Sequence, residues 1–174
     1  MKRAILIPVL AFFSVVFFVS CMKTVDPCTS NTLAQDRHII DSFLNVTPSL
    51  GSVSFNSTHN VYLGIDNPGS GSAPVADSQI VFKVEQRLLN GNLIDSGTVR
   101  TTQQGFPYKL NDFDPQSLDY LIFSQLRKGG SMKVIIPSSL NGLGCNSGTG
   151  RYGNIPGNSQ LINTITLVDV KRNQ

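Results

Sequence analysis

Cysteine and histidine are the residue types of this chain with the most distinctive chemistry. The chain has three cysteines and two histidines. A thiol can carry a lipid, form a disulfide or bind a metal, and an imidazole can bind a metal or move a proton. His38 and His59 stand apart from each other and from Cys21, Cys28 and Cys145, so no group has the spacing of a metal site. We expect surface histidines and no metal, and the cysteines become the residues to explain.

The first twenty residues have the three zones of a secretory signal. Lys2 and Arg3 form a basic start, residues 4–18 are an apolar run, and a serine precedes Cys21. The run has about 15 residues, whereas a membrane-spanning helix needs about 20. A small residue and then a cysteine after such a run resembles the bacterial lipobox, so we expect residues 1–20 to be removed and the Cys21 thiol to carry diacylglycerol. The alternative is an ordinary signal whose cleavage site happens to lie near a cysteine.

Cys28 and Cys145 then form an even pair in an exported chain, where the surroundings oxidise thiols. A disulfide between them would tie the N-terminal segment to a loop near the C-terminus. It would stabilise the fold by about 3–5 kcal/mol in the chain-entropy model. The alternative is two free thiols, and the sequence leaves both open.

The charge of the exported chain is close to neutral. Loss of Lys2 and Arg3 reduces the fourteen basic residues to twelve, against eleven acidic ones. No basic patch is interleaved with aromatic residues, so we expect no nucleic-acid partner. The lipid would place the protein in the bacterial cell envelope, at the outer membrane, facing the periplasm or the cell surface. The sequence does not indicate an oligomeric state.

The exported chain divides into a tether, a helical segment and one domain. Residues 21–32 have no periodicity and are predicted to be a lipidated tether. Apolar residues at three- and four-residue spacing predict a helix over Leu33–Leu44, within a helical segment of residues 33–50 that a proline and a glycine end. Residues 51–174 then form the domain.

Short strands, turns and one further helix make up this domain. Alternating apolar residues in Gln79–Leu89 predict a long strand, and Asn90-Gly91 after it is the strongest signal for a hairpin turn. Asp114 as the cap and Pro115 as the first helical residue predict a helix of about three turns, which Gly129-Gly130 ends. The predicted strands are residues 53–55, 61–65, 79–89, 92–95, 132–137 and 161–170.

These elements predict an α+β fold, in which a curved antiparallel sheet, or half-barrel, wraps on one central helix and a short N-terminal helix precedes it. Residues 138–154 form a glycine-rich loop between the last two strands. A loop of this length in a compact domain is usually functional.

Two segments near the C-terminus resemble FKBP-type peptidyl-prolyl cis-trans isomerases. Residues 126–140, Leu-Arg-Lys-Gly-Gly-Ser-Met-Lys-Val-Ile-Ile-Pro-Ser-Ser-Leu, resemble the family's Lys-x-Gly-Gly turn and its apolar strand ending in Ile-Pro-x-x-Leu. Residues 154–161, Asn-Ile-Pro-Gly-Asn-Ser-Gln-Leu, resemble its Ile-Pro-x-Asn-Ser segment. Residues 88–96 look like its hairpin, and Pro107-Tyr108 resembles its Pro-Phe segment. The resemblance covers about residues 60–170, implies an FKBP-like fold, and extends to lipoprotein members of the family.

The resemblance implies a concave pocket between sheet and helix that holds a prolyl ring. Asp95, Tyr108 and Ile155 would take catalytic positions, and the backbone amide near Gln116 would donate to a substrate carbonyl. The pocket-lining positions would fall on Val84, Ile94, Gln116, Leu118, Leu143 and Asn163.

This pocket departs from the family pattern and is in that sense degenerate. Val84 replaces a tyrosine, Ile94 and Asn163 replace phenylalanines, and Leu143 replaces the tyrosine of an Ala-Tyr-Gly segment. The floor tryptophan has no counterpart, since the chain contains no tryptophan. Val84 and Ile94 can be read as ordinary core residues, and Asp95 as a cap of the turn after the hairpin.

The sequence leads to three hypotheses about function. The resemblance implies a lipid-anchored prolyl isomerase that assists the folding of exported proteins and needs no cofactor. The alternative is a weakly active or inactive FKBP-like module that binds proline-containing segments of envelope proteins. A β-rich lipoprotein with a structural role is the third, and it predicts no concave pocket between residues 80–95 and 114–123. In the first two cases the partners are proline-containing segments and, through the lipid, a membrane.

Overall fold

The computed structural model describes residues 28–50 and 52–172, so the predicted signal peptide, Cys21 and most of the tether lie outside the described residues. The strands are β1 Ser54–Asn56, β2 Val61–Asn67, β3 Gln79–Leu88, β4 Leu93–Val99, β5 Ser131–Ile136, β6 Gly148–Thr149, β7 Asn154–Ile155 and β8 Leu161–Lys171. Six of them form one antiparallel sheet in the order β1-β2-β5-β8-β3-β4, and β6 and β7 form a separate hairpin. The helices are α1 Leu33–Asn45 and α2 Leu118–Gln125, with 3-10 turns at Pro48–Leu50 and Leu110–Asp112. The predicted α+β fold is confirmed.

Helix α2 packs on one face of the sheet, which we call the helix-facing side. Ile122 and Phe123 of α2 are almost completely buried there. The rings of Phe82 and Phe113 contact Phe123, with centroids 4.7 and 5.4 Å from that of Phe123. The Tyr108 ring in turn contacts those of Phe82 and Phe113. This first core cluster contains the buried residues Val61, Ile80, Leu110, Ile122, Phe123, Leu126, Met132, Val134, Ile165, Leu167 and Val170.

The start of α2 differs from the prediction. Ser117 is the cap, because its side chain accepts a 3.2 Å hydrogen bond from the backbone N–H of Tyr120. Asp114 instead accepts a 2.8 Å hydrogen bond from the backbone N–H of Gln116 and forms a turn ahead of the helix. Because the turn at Asp114 engages the backbone N–H of Gln116, the helix begins later, after Ser117. As a result α2 has eight residues, fewer than the predicted three turns.

Helix α1 covers the opposite face of the sheet. Thr32 caps it and exchanges hydrogen bonds with Gln35, as a capping box does. Ile40 of α1 is fully buried in a second core cluster with Tyr62, Ile135 and others. The Tyr62 hydroxyl donates a 2.6 Å hydrogen bond to Asp41, and burial together with this bond raises the pKa of Tyr62 to about 12.

The N-terminal segment is fastened to the glycine-rich loop. The structure joins Cys28 to Cys145 by a disulfide, with the two Cα atoms 5.7 Å apart. The side chain of Asn158 accepts a 3.0 Å hydrogen bond from the backbone N–H of Asn31 and donates one to the carbonyl of Thr29. These contacts place residues 28–32 against the loop.

Two predicted boundaries are wrong. Strand β4 continues to Val99 beyond the predicted residue 95, because Lys83 and Phe82 of β3 pair with Thr98 and Val99. The loop of residues 138–154 is not free of regular structure, since it contains β6 and leads directly into β7.

Among residues 28–50 and 52–172, no helix has the length and apolar character needed to cross a membrane.

Candidate functional site

A polar patch interrupts the apolar helix-facing side of the sheet. Residues paired across antiparallel strands point to the same face. Gln86 of β3 pairs with Asn163 of β8 and with Asp95 of β4, two residues along from Val84, which packs on the first core cluster. All four residues therefore lie on the helix-facing side. We call Gln86, Asp95 and Asn163 the central patch, and Val84 borders it.

Gln86 and Asn163 satisfy part of each other's hydrogen-bonding capacity. Both side chains are half-buried, and the Gln86 amide donates to the Asn163 carbonyl oxygen over 3.2 Å. Within the described residues, neither of the two side chains makes another hydrogen bond. The Asn163 amide group and the Gln86 carbonyl oxygen remain to serve as a donor and an acceptor. Such groups can hold the backbone of a bound segment.

Asp95 is held by an arginine from the glycine-rich loop. Its Oδ1 atom lies 2.8 Å from Nε of Arg151 and accepts a 2.6 Å hydrogen bond from the backbone N–H of Ser96. The Asp95 side chain is 38% exposed and that of Arg151 is 63% exposed, so the pair lies at the rim of the sheet. Such an exposed pair adds little to stability, about 0–1 kcal/mol, but it fixes where both side chains lie.

The β6–β7 hairpin presents Arg151 at its tip. The backbone N–H of Gly150 donates to the carbonyl of Gly153 over 2.9 Å, and the N–H of Tyr152 donates to the carbonyl of Ile94 over 3.0 Å. A side chain at position 150 would collide with the backbone of Ile94, so only glycine allows this close approach. The tip is therefore fastened to β4 next to Asp95.

A third apolar cluster lies on the other side of the central patch. Ile94 and Ile155 are almost fully buried in it, and Leu143 packs against it. Ile94 is the extra residue of a bulge, because Gln86 pairs with Asp95 while the next pair is Arg87 with Leu93. The other buried members are Leu88 and Leu161.

No protein-family model matches this chain, and no curated protein matches its sequence. Among solved structures, it is similar to FkpA from Escherichia coli, with a TM-score of 0.47 and 21% identity over 80% of this chain and 61% of that chain. A peptidyl-prolyl cis-trans isomerase from Pseudomonas syringae pv. tomato has a TM-score of 0.47 and 18% identity over 83% of this chain and 99% of that one.

The three FKBP domains of wheat FKBP73 match with a TM-score of 0.45 and 16% identity, over 67% of this chain and 48% of that chain. All three TM-scores lie below 0.5.

The structure divides the predicted pocket residues between neighbouring places. Val84, Tyr108 and Leu118 pack against the first core cluster, where the Tyr108 ring stacks on that of Phe113 at 5.7 Å. Ile94, Leu143 and Ile155 belong to the third cluster. Asp95 and Asn163 lie between the two, in the central patch.

The expected single apolar cavity is not among those that we describe. Four surface cavities of about 200 to 430 Å³ are lined by described residues, and none is lined by more than one of the predicted pocket residues. Tyr108 and Leu118 pack, partly buried, against the first core cluster, and the chain has no tryptophan to form a floor. The candidate site is instead a polar patch between two apolar clusters.

Gln116 lies in the turn ahead of α2. Its backbone N–H, which was expected to meet a substrate carbonyl, donates to Asp114. Its side chain is exposed and lines a cavity of about 300 Å³ with His59, Pro115 and Tyr120.

Sequence reasoning missed Arg151 and Gln86. Arg151 lies 56 positions after its partner Asp95, and a contact at that separation leaves no local pattern. One signal was available: Arg151 and Tyr152 are the large residues of the segment Gly150-Arg151-Tyr152-Gly153. Gln86 could have been found as the polar residue on the apolar face of the predicted strand.

Proposed function

We propose that this protein is a lipid-anchored FKBP-type peptidyl-prolyl cis-trans isomerase that assists the folding of exported proteins. Support comes from residues 126–140 and 154–161, whose resemblance to the family falls on the turn after α2, on β5, on β7 and on the start of β8. The observation that carries the proposal is the position of Asp95. It pairs with Gln86, lies on the face of Asn163, and has an apolar cluster on each side.

Rotation about an X–Pro bond needs few functional groups in such a site. Rotation about an X–Pro bond has a barrier of about 18–20 kcal/mol because amide resonance must be broken. The twisted amide is less polar than the planar one, so apolar side chains around the proline favour it. Amide groups such as those of Gln86 and Asn163 would hold the neighbouring backbone in one pose. No nucleophile is required.

The proposed lipid anchor would keep the site near the membrane. Cys21 precedes Cys28 by seven residues, which span at most about 25 Å when extended. The disulfide from Cys28 reaches Cys145 in the glycine-rich loop that also carries Arg151. The loop would therefore lie within a short distance of the bilayer that holds the lipid. Labelling cells with a radioactive fatty acid tests the anchor, since Cys21→Ala should abolish incorporation.

The second candidate function is a non-catalytic module that binds proline-containing segments of envelope proteins. Asp95 is already engaged by Arg151, and the backbone N–H of Gln116 is taken by Asp114. The central patch itself carries no aromatic side chain. These features favour holding a segment over accelerating its rotation.

One experiment separates the two functions. Isomerisation of a proline-containing peptide is followed with the purified protein, the Asp95→Ala variant and the control Asp66→Ala. Asp66 matches Asp95 because its carboxylate also forms an exposed ion pair, with Lys133 at 2.6 Å, away from the central patch. An isomerase should lose at least tenfold in rate with Asp95→Ala and keep its rate with Asp66→Ala.

A rate equal to that of buffer would reject catalysis. Titration of the same peptide, followed by NMR, then decides on binding. Peptide-dependent shifts at β3, β4 and β8 without isomerisation support the second candidate. No shifts and no rate would reject both.

A further inference from the structure

Resting on the proposed function, we propose that Arg151 is a specificity-determining residue, which makes the site prefer proline-containing segments with an acidic residue close to the proline. Three features support this proposal: the terminal nitrogens of the guanidinium, the glycine beneath it and the cavity beside it.

The guanidinium of Arg151 is only partly used. Its Nε atom bonds Asp95, while its two terminal nitrogens have no hydrogen-bond partner among the described residues. These two nitrogens form the end of the guanidinium fork, which matches both oxygens of a carboxylate. With 63% of the side chain exposed, this end is open to an incoming acidic residue.

The backbone on both sides of Arg151 is held in place before a ligand arrives, and the Asp95 carboxylate holds the Nε atom of the guanidinium. Gly97 of β4 lies beneath it, and a Cβ atom there would come within 2.8 Å of the Arg151 Nη2 atom. The fastened hairpin tip at Gly150 and the bond from Tyr152 to Ile94 position the residue from the other side. A preorganised cation loses less conformational entropy on binding than a free surface arginine.

A cavity next to Arg151 can take the side chain that neighbours the acidic residue. It has a volume of about 290 Å³ and combines the apolar side chains of Leu88, Leu93 and Ile94 with the exposed ring of Tyr152 and two asparagines. Since Tyr152 follows Arg151 directly, a segment bound at the guanidinium can reach this cavity with the adjacent side chain. The ligand class is therefore an extended acidic-apolar segment flanking a proline.

Asp95 sets the strength of the preference. It neutralises part of the charge of Arg151, so the attraction for a second carboxylate is moderate and falls as salt rises. We expect a glutamate in the segment to increase affinity by roughly fivefold to tenfold at low salt, within the range of one charge-assisted contact.

The test uses three acetylated and amidated proline peptides that differ at one position near the proline, which holds alanine, glutamate or lysine. Their dissociation constants are measured by titration with the protein expressed with its own N-terminus and purified in detergent. The glutamate peptide should bind most tightly, and 0.5 M salt should remove most of its advantage. Arg151→Gln should bring the glutamate-to-alanine ratio close to one, and Arg151→Glu should reverse the order in favour of lysine.

Arg87→Gln is the matched control and should keep the wild-type ratio. Arg87 is also a partly exposed arginine in a carboxylate pair, with Glu85 at 3.6 Å. If the wild-type protein binds the alanine and glutamate peptides equally, the inference about Arg151 is overturned while the proposed function stands. If it binds none of the three, both are overturned.

Discussion

The buried carboxylate of Asp36 accepts a 2.7 Å hydrogen bond from the hydroxyl of Ser138, which lies 102 positions further along the chain. The backbone N–H of Ser139 and the side-chain amide of Gln160 donate to the same carboxylate over 2.7 and 2.8 Å. Asn31 adds a fourth bond at 3.0 Å. Helix α1, the start of the glycine-rich loop and the residue before β8 therefore meet at one charged group.

Asp36→Ala should destabilise the protein by about 3 kcal/mol, because it leaves several buried donors without an acceptor. Urea unfolding followed by circular dichroism measures the loss. Asp66→Ala is the control and should cost less than 1 kcal/mol, since its ion pair with Lys133 lies near the surface. Equal losses in the two variants would show that the Asp36 network does not hold the loop.

The same carboxylate predicts an acid-sensitive stability. Burial alone would raise the pKa of Asp36, but the hydrogen bonds from Ser139, Ser138, Asn31 and Gln160 outweigh it, and the pKa lies below its ordinary value of 3.8. The stabilisation is therefore complete above that value and is lost as pH falls through the lower pKa of the folded state. Asp36→Asn should flatten the dependence of the urea midpoint on pH in this acidic range.

Two surface carboxyls would add to the slope in wild-type protein. A hydrogen bond from Lys83 lowers the pKa of Glu85, and one from Lys128 lowers the pKa of Asp169. Measuring in 0.5 M salt screens these exposed pairs more than the buried network. A slope that is the same in wild type and Asp36→Asn under these conditions would contradict the prediction.

Local turn chemistry explains what the sequence predicted well. Asn90-Gly91 specifies the β3–β4 hairpin because the turn needs a residue with positive φ, and Gly91 has a φ of 89°. That turn sets the register, apart from one bulge, and so brings Asp95 beside Gln86. The placement of Asp95 on the sheet thus follows from residues within ten positions of it.

Contacts between distant residues explain what the sequence did not predict. The pairing of Asp95 with Arg151 depends on how the β6–β7 hairpin folds back on β4, which no periodicity encodes. The same holds for Tyr108, whose ring could line a pocket or join the core. In the structure the Tyr108 ring stacks on that of Phe113 and packs against the first core cluster.

Reduction of the disulfide should destabilise the protein by about 3–5 kcal/mol. Cys28 and Cys145 are 117 positions apart, so the bridge removes much conformational freedom from the unfolded chain. Urea unfolding with and without dithiothreitol measures the difference. The double variant Cys28→Ser, Cys145→Ser should match the reduced protein and should not respond to dithiothreitol; a response would assign the effect to another group.

Gly157→Ala should loosen the contact between the segment after β7 and the disulfide. A Cβ atom at Gly157 would collide with the backbone carbonyl of Cys145, and that backbone is fixed by its bond to Ser30 and by the disulfide. We expect a loss of about 1–3 kcal/mol, as for other overpacked positions, and faster reduction of the disulfide by dithiothreitol. Gly153→Ala is the matched control, because its Cβ would meet Ile94 at an ordinary 3.4 Å. The idea fails if both alanine variants unfold and reduce alike.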